Sequence, residues 1–396
     1  LRSDLAKYQQ ELSLELENIL SYWKRFTVDE RNGGFFGKID NDNHVDYSAP
    51  KGSVLNARIL WAFSAAYNLR ADTELLEIAD RAFQYINNYF TDREFGGVYW
   101  LLDCEGNPID SKKQVYAIAF TIYAFSEYFV ASGDPIAKQK AIGLYHNLVR
   151  HSYDVEKGGY FEAFDREWNP LDDLRLSEKD ANEKKTMNTH LHVLEAFTVL
   201  YRIWPDEDLK DRIIELIHDF TAHIISKETG SLILFFDGNW EARSNIISYG
   251  HDIEAAWLLL EAAEAVADQD LIDLVKSISV KMAEVAKNGL DADGSLWYEY
   301  EVSKNHFIKE KHWWVQAEAM VGFFNAWQVS GDQDFLKISM KNWSFVKDKI
   351  IDWDNGEWLW GITGTGEVMQ GEDKVGLWKC PYHNSRACIE IIRRIG

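Results

Sequence analysis

The chain has 396 residues, 46% of them apolar, and sets 42 Lys and Arg against 64 Asp and Glu for a net charge of −22. That balance excludes a nucleic-acid surface or an anionic membrane surface, both of which need clustered positive charge, and it disfavours a strongly anionic substrate. Three cysteines (Cys104, Cys380, Cys388) imply no disulfide framework and fit a reducing, cytoplasmic compartment; no apolar run reaches the length of a membrane span, and the stretch from Leu1 to Leu5 is too polar for a signal peptide.

In chain order, a helical pattern over residues 5–26 comes first. From Gly33 a glycine-led aromatic segment, GGFFGKIDNDNHV, alternates aromatic with small or polar residues and meets an Asp/Asn cluster, which predicts a β-hairpin. Apolar residues then recur at three and four positions over 55–67 and 75–90, which predicts two helices. The unit repeats from Gly96 (GGVYWLLDCEGNPI), with helices over 115–131 and 137–151, and from Gly158 (GGYFEAFDREWNPL), with helices over 189–203 and 209–225. It repeats again from Gly230 (GSLILFFDGNWEA; 252–267 and 271–288) and Gly294 (GSLWYEYEVSKN; 313–329 and 335–350). The sixth copy, GEWLWGITGTGEV from Gly356, lacks the clean Asp-Asn turn and is followed by one helix over 381–395. The intervals between the leading glycines are 63, 62, 72, 64 and 62 residues. Six copies with no polar capping repeat predict a closed all-α toroid, an (α/α)6 barrel with short β-hairpins at one end, formed by residues 1–396 as a single catalytic domain.

In such a ring the helices that follow the hairpins line the centre, and residues near their starts converge on one mouth. Read this way, the first unit offers Arg58, the second Tyr116, and the third Asn188 and His192, delayed by a polar insertion over 172–185. The fourth offers His251 and Glu254, the fifth Trp313, Trp314, Gln316 and Glu318, and the sixth Trp378, Lys379, Tyr382 and His383. Asn188 and His192 are four apart and share a helix face, whereas His190 lies about 200° around from His192, which argues against a His-Leu-His metal pair. His251 and Glu254 are three apart, so Glu254 is expected to orient that imidazole. Arg58 sits among Leu55, Ile59, Leu60 and Trp61 and needs either an anionic ligand or a buried carboxylate partner.

The chain holds 16 Trp, 18 Tyr and 21 Phe, more aromatic surface than a core usually needs. Sugar rings have apolar faces on which indoles stack, so the composition fits either core or carbohydrate. Histidine, with an ordinary pKa of about 6.5, both takes and gives protons near neutrality. Two such groups on opposite faces of one carbon suit removal of a proton from one side and its return to the other, with a neighbouring cation holding the enediolate charge. No phosphate loop, Rossmann fingerprint or cysteine-rich metal site is present, so no cofactor and no metal is expected.

The stretches MNTHLHVLEAF (from Met187), SYGHDIEAAWLL (from Ser248), HWWVQAEAMVGFFNA (from His312) and WKCPYHNSRACIE (from Trp378) resemble the N-acylglucosamine 2-epimerase superfamily, and KGSVLNARILWAFSAAYN (from Lys51) fits its arginine-bearing helix. The WKCPYHN run leans toward the disaccharide epimerases of that superfamily. The resemblance implies an (α/α)6 barrel and cofactor-free epimerisation at C2 of the reducing-end sugar of β-1,4-linked disaccharides such as cellobiose, lactose or mannobiose. It implies that His251 and His383 are the acid/base groups and that His192, Arg58 and Asn188 hold O1, O2 and the cis-enediolate. Tyr116, Glu254, Trp313, Trp314, Glu318 and Trp378 are then expected to bind substrate. The sequence carries no signal of oligomeric state and fits a monomer. Sister activities stay open, namely mannose 2-epimerisation and aldose–ketose isomerisation, for which one base on one face suffices. A glycoside hydrolase, which needs two carboxylates across the scissile bond, and a non-catalytic sugar-binding protein are the readings from other classes.

Overall fold

The computed structural model describes residues 2–396. Its helices are α1 (Arg2–Phe26), α2 (Ser53–Arg70), α3 (Thr73–Tyr85), α4 (Val115–Ser132), α5 (Pro135–Ser152), α6 (Met187–Ile203), α7 (Glu207–Asp219), α8 (Tyr249–Val266), α9 (Gln269–Ala286), α10 (Trp313–Ser330), α11 (Gln333–Phe345) and α12 (Tyr382–Ile395). The even-numbered helices pack side by side, α2 on α4, α4 on α6 and so on to α12, which returns to α2. The inner ring is therefore closed, and the odd-numbered helices surround it. The chain has the expected (α/α)6 barrel architecture.

Short-range chemistry sets the pairing of inner with outer helices. Four inner helices end on a residue in the left-handed region: Ala71, Gly133, Ala267 and Gly331, with φ of 54°, 70°, 58° and 75°. An aspartate follows each one and caps the next helix. Asp72, Asp134, Asp268 and Asp332 accept hydrogen bonds from backbone N–H groups of α3, α5, α9 and α11, and Asp206 does the same for α7. A left-handed stop followed at once by an acidic cap reverses the chain in two residues, which makes the pair antiparallel. Inner helices are buried on nearly all sides, as α2 is from Ser53 through Ala66. Outer helices such as α3 and α7 bury one stripe only, as expected for a surface ring.

The predicted hairpins form at all six places, including the sixth, where Ile362 bridges Val368 across a turn closed by Gly366. The strand that enters each inner helix pairs with the hairpin of the next unit: 51–52 with 101–102, 113–114 with 163–164, 185–186 with 235–236, 246–248 with 299–301, and 311–312 with 361–362. Ile39 of the first hairpin bridges Val375 of the last unit, so this end closes as well. Buried lysine–aspartate pairs hold the hairpins against these strands: Lys51 to Asp29 at 2.8 Å, Lys113 to Asp92 at 2.7 Å and Lys185 to Asp154 at 2.8 Å. Lys51 and Lys185 also donate to the glycine carbonyls of Gly33 and Gly158.

One expectation needs correction. Helix α4 is 18 residues with a mean hydropathy of 1.3, long and apolar enough to cross a membrane by composition alone. Its hydrophobic surface is used inside the ring, where it packs between α2 and α6 and is mostly buried.

Candidate active site

Because every inner helix starts at the hairpin end, its second and sixth residues recur at the same depth and face the ring's axis. Those positions are Tyr116 and Phe120 on α4, Asn188 and His192 on α6, Trp314 and Glu318 on α10, with Arg58 as the sixth residue of α2 and Glu254 as that of α8. His383 is the second residue of α12, and His251 is the third of α8. The fourth position serves the scaffold. There His190 accepts from the Tyr160 N–H at 2.9 Å and donates to the Thr186 carbonyl at 2.6 Å, Asp252 accepts from the Leu232 N–H at 2.8 Å, and Gln316 accepts from the Leu296 N–H at 2.8 Å. Both nitrogens of His190 are thus spent on the third hairpin, and no His190–His192 metal pair exists.

His251 and His383 meet on one indole. Their rings pack on Trp314 with centroid separations of 4.7 and 5.7 Å. The indole can lie there because Gly250 has no side chain: a Cβ at that position would come within 2.6 Å of the Trp314 ring. His383 Nδ1 donates to Glu318 Oε1 at 2.6 Å, and His192 Nδ1 donates to Glu195 Oε2 at 2.8 Å. Each carboxylate fixes a tautomer whose Nε2 lone pair is free to take a proton. His251 Nδ1 contacts the Ser248 hydroxyl at 2.7 Å. The expected His251–Glu254 pairing is not made. The Glu254 carboxyl group turns instead to Arg386, 2.6 Å away, whose guanidinium offers a stronger hydrogen bond than a neutral imidazole.

Arg58 donates to the Tyr116 hydroxyl at 2.8 Å, and its guanidinium lies over Phe120 and Tyr382 at 4.2 and 4.7 Å from the ring centroids. Its other polar contacts are the Trp378 carbonyl and the Cys380 sulfur, and its Nε has no partner. No carboxylate pairs with Arg58 among the described residues, so of the two expectations the buried ion pair falls and an unneutralised cation stands beside the histidines. Asn188 Oδ1 is likewise buried without a partner. Trp378 is half-buried against Trp100 and Tyr116. Trp313 is turned away from the histidines and packs on Trp360 at 4.5 Å with the Lys379 ammonium over its ring.

Burial lowers the basicity of all three histidines. His251 falls to about 3, with the neighbouring His192 adding to the effect. His383 falls well below the usual range, with Arg58, Arg386 and His192 adding to burial. In His192 burial outweighs the Glu195 hydrogen bond. All three are neutral bases at physiological pH.

Two residues escaped the sequence reading. Glu195 follows His192 by three, the same spacing that suggested Glu254 for His251, whereas Arg386, between Ser385 and Ala387, carries no such local signal.

Residues 34–387 match the N-acylglucosamine 2-epimerase (GlcNAc 2-epimerase) family. The chain belongs to that family. Among relatives within this epimerase family, the cellobiose 2-epimerase of Bacteroides fragilis is 48% identical over 97% of this chain and 98% of its own. The cellobiose 2-epimerase of Ruminococcus albus is 40% identical, with 98% of each chain covered. The solved structure of cellobiose 2-epimerase from Bacillus thermoamylovorans B4167 superposes with a TM-score of 0.94 at 39% identity, covering 98% of this chain and 100% of that one.

Proposed function

We propose that this chain, acting as one catalytic barrel over residues 1–396, is a cellobiose 2-epimerase that interconverts glucose and mannose at the reducing end of β-1,4-linked disaccharides. The observation that carries the reading is the pair of neutral imidazoles of His251 and His383 packed together on the Trp314 indole. Once the sugar ring opens, one imidazole takes the C2 proton and becomes an imidazolium. The electron pair left at C2 moves into the C1 carbonyl and gives a cis-enediolate. Arg58, free of any carboxylate, and His192, held by Glu195, are suited to bind its oxygens, with Asn188 as a further donor. The opposite imidazole, after taking a proton from solvent, delivers it to the other face of C2, and the first imidazolium releases its proton to solvent, so both rings end as they began. His383 also serves ring opening. Tyr116, Trp314 and Trp378 line the sugar site, and the reaction as written uses no metal or cofactor.

Hydrolysis is disfavoured by the state of the carboxylates. Glu254 and Glu318 have oxygens within 4.8 Å of one another and are both bonded to the same guanidinium nitrogen of Arg386, an arrangement that leaves no room for a glycosidic bond between them. Isomerisation to the keto sugar shares the enediolate and is expected as a minor path.

Incubation with cellobiose in deuterated water tests the reading. Glucosyl-mannose with deuterium at C2 is the expected product. Free glucose as the main product would establish a hydrolase, and a dominant keto sugar an isomerase.

A further inference from the structure

Beneath the three histidines, the inner ring is tied together by a single fully buried guanidinium. Arg386 of α12 donates through Nη1 to Glu195 of α6 and to the Tyr382 hydroxyl, and through Nη2 to both Glu254 of α8 and Glu318 of α10, each at 2.6 Å. Tyr382 in turn donates its hydroxyl proton to Glu195, 2.6 Å away. Two of these three carboxylates are the ones that orient His192 and His383. The guanidinium also lies over the Tyr382 and Trp257 rings, which leaves its plane little freedom to turn.

We propose that Arg386 is a positioning residue for the epimerisation: its fork fixes the carboxylates behind His192 and His383 and joins the two histidine–glutamate pairs into one hydrogen-bonded assembly. It touches no substrate; it acts through Glu195 and Glu318. A lysine has one point charge and cannot hold three carboxylates on separate helices in fixed directions, whereas the planar fork can. The same cation repels a proton on either histidine and so adds to burial and Arg58 in keeping both imidazoles neutral. The other charged or titratable groups facing these rings are Arg58 of α2, Tyr116 of α4, His251 of α8 and Tyr382 of α12. Of these only Arg58 is a permanent cation, and it has no contact with Glu195 or Glu318. Arg58 also acts on both rings through its charge, but Arg386 is the cation that hydrogen-bonds the carboxylates of both pairs.

This inference rests on reading His383 as an acid/base group, but its test needs no turnover. Histidine ring nitrogens are labelled with ¹⁵N and titrated by NMR in the ligand-free protein, in wild type, Arg386→Met and Arg386→Lys. In wild type the His192 and His383 rings should titrate below the ordinary value of about 6.5. Loss of the cation in Arg386→Met should raise the titration of both by about one pH unit or more. Arg386→Lys should leave them within about 0.3 unit but lower kcat at least tenfold with KM within threefold, because the charge is kept and the geometry is lost. Unmoved histidines in a folded Arg386→Met protein would overturn the proposal, as would kcat within twofold of wild type in Arg386→Lys. Failure of both variants to fold would assign the residue to stability alone and overturn it equally. If the titrations shift as expected while cellobiose in deuterated water gives no epimer, the assembly stands and the proposed reaction falls.

Discussion

His383 Nδ1 lies 2.6 Å from Glu318 Oε1, and this hydrogen bond joins α12 to α10 across 65 residues of sequence. It leaves Nε2 as the basic nitrogen of His383, whose ring packs on the same indole as His251. The proposed two-base chemistry depends on that arrangement.

His251→Ala and His383→Ala should each lower kcat by roughly 10²–10⁴, the usual share of a general acid or base. Cellobiose affinity, measured by calorimetry, should change by less than about threefold. Turnover within tenfold of wild type in either variant would remove that histidine from the base role.

The acid side of the kcat/KM profile follows from the burial of these rings. His251 sits at about 3 and His383 well below the usual range. The free enzyme therefore keeps both bases unprotonated as pH falls through about 6.5, where an ordinary histidine would take up a proton. The profile should remain flat across that value and fall only below it. An inflection at pH 6.5 or above would contradict the neutral state of the pair.

Gly250→Ala would set a Cβ 2.6 Å from the Trp314 ring and 2.9 Å from Val315 Cγ2. The indole must then move, and the histidines that rest on it lose their common support. We expect kcat/KM to drop by about tenfold or more, with overpacking costing roughly 1–3 kcal/mol in stability. Stability and kcat/KM both equal to wild type would show that Trp314 does not set the spacing of the two bases.

Glu162 supplies a pH-dependent stability term at the root of α6. It accepts hydrogen bonds from the Thr186 N–H at 2.9 Å and the Thr189 hydroxyl at 2.6 Å, and burial raises its pKa to about 8, above the ordinary 4.5. The folded chain thus holds a proton here that the unfolded chain releases. The contribution is full below about 4.5 and is lost as pH rises through 8. Glu162→Gln carries no titratable proton, so its Tm should fall by at least about 2 °C less than wild type between pH 5 and pH 9. Identical Tm slopes for the two proteins would refute this.

The six-fold repeat, the hairpins and the helices were all legible in the sequence, because they are set locally: glycine-led turns and three-and-four apolar spacing act over a few residues. The same register pointed to Arg58, Asn188, His192, His251, Glu318 and His383, since equivalent positions on repeated units must reach the same depth in a closed ring. Which group pairs with which was decided only by tertiary structure. Spacing within a helix offered Glu254 to His251, but the folded ring brought Arg386 within reach of Glu254, and the charged partner won. Adjacent residues parted in the same way: Trp314 faces the histidines while Trp313 packs on Trp360, a difference of one helical step. Hydrogen bonds and ion pairs between distant helices depend on separations of a few tenths of an ångström, and those separations are fixed by ring closure rather than by any local run of residues.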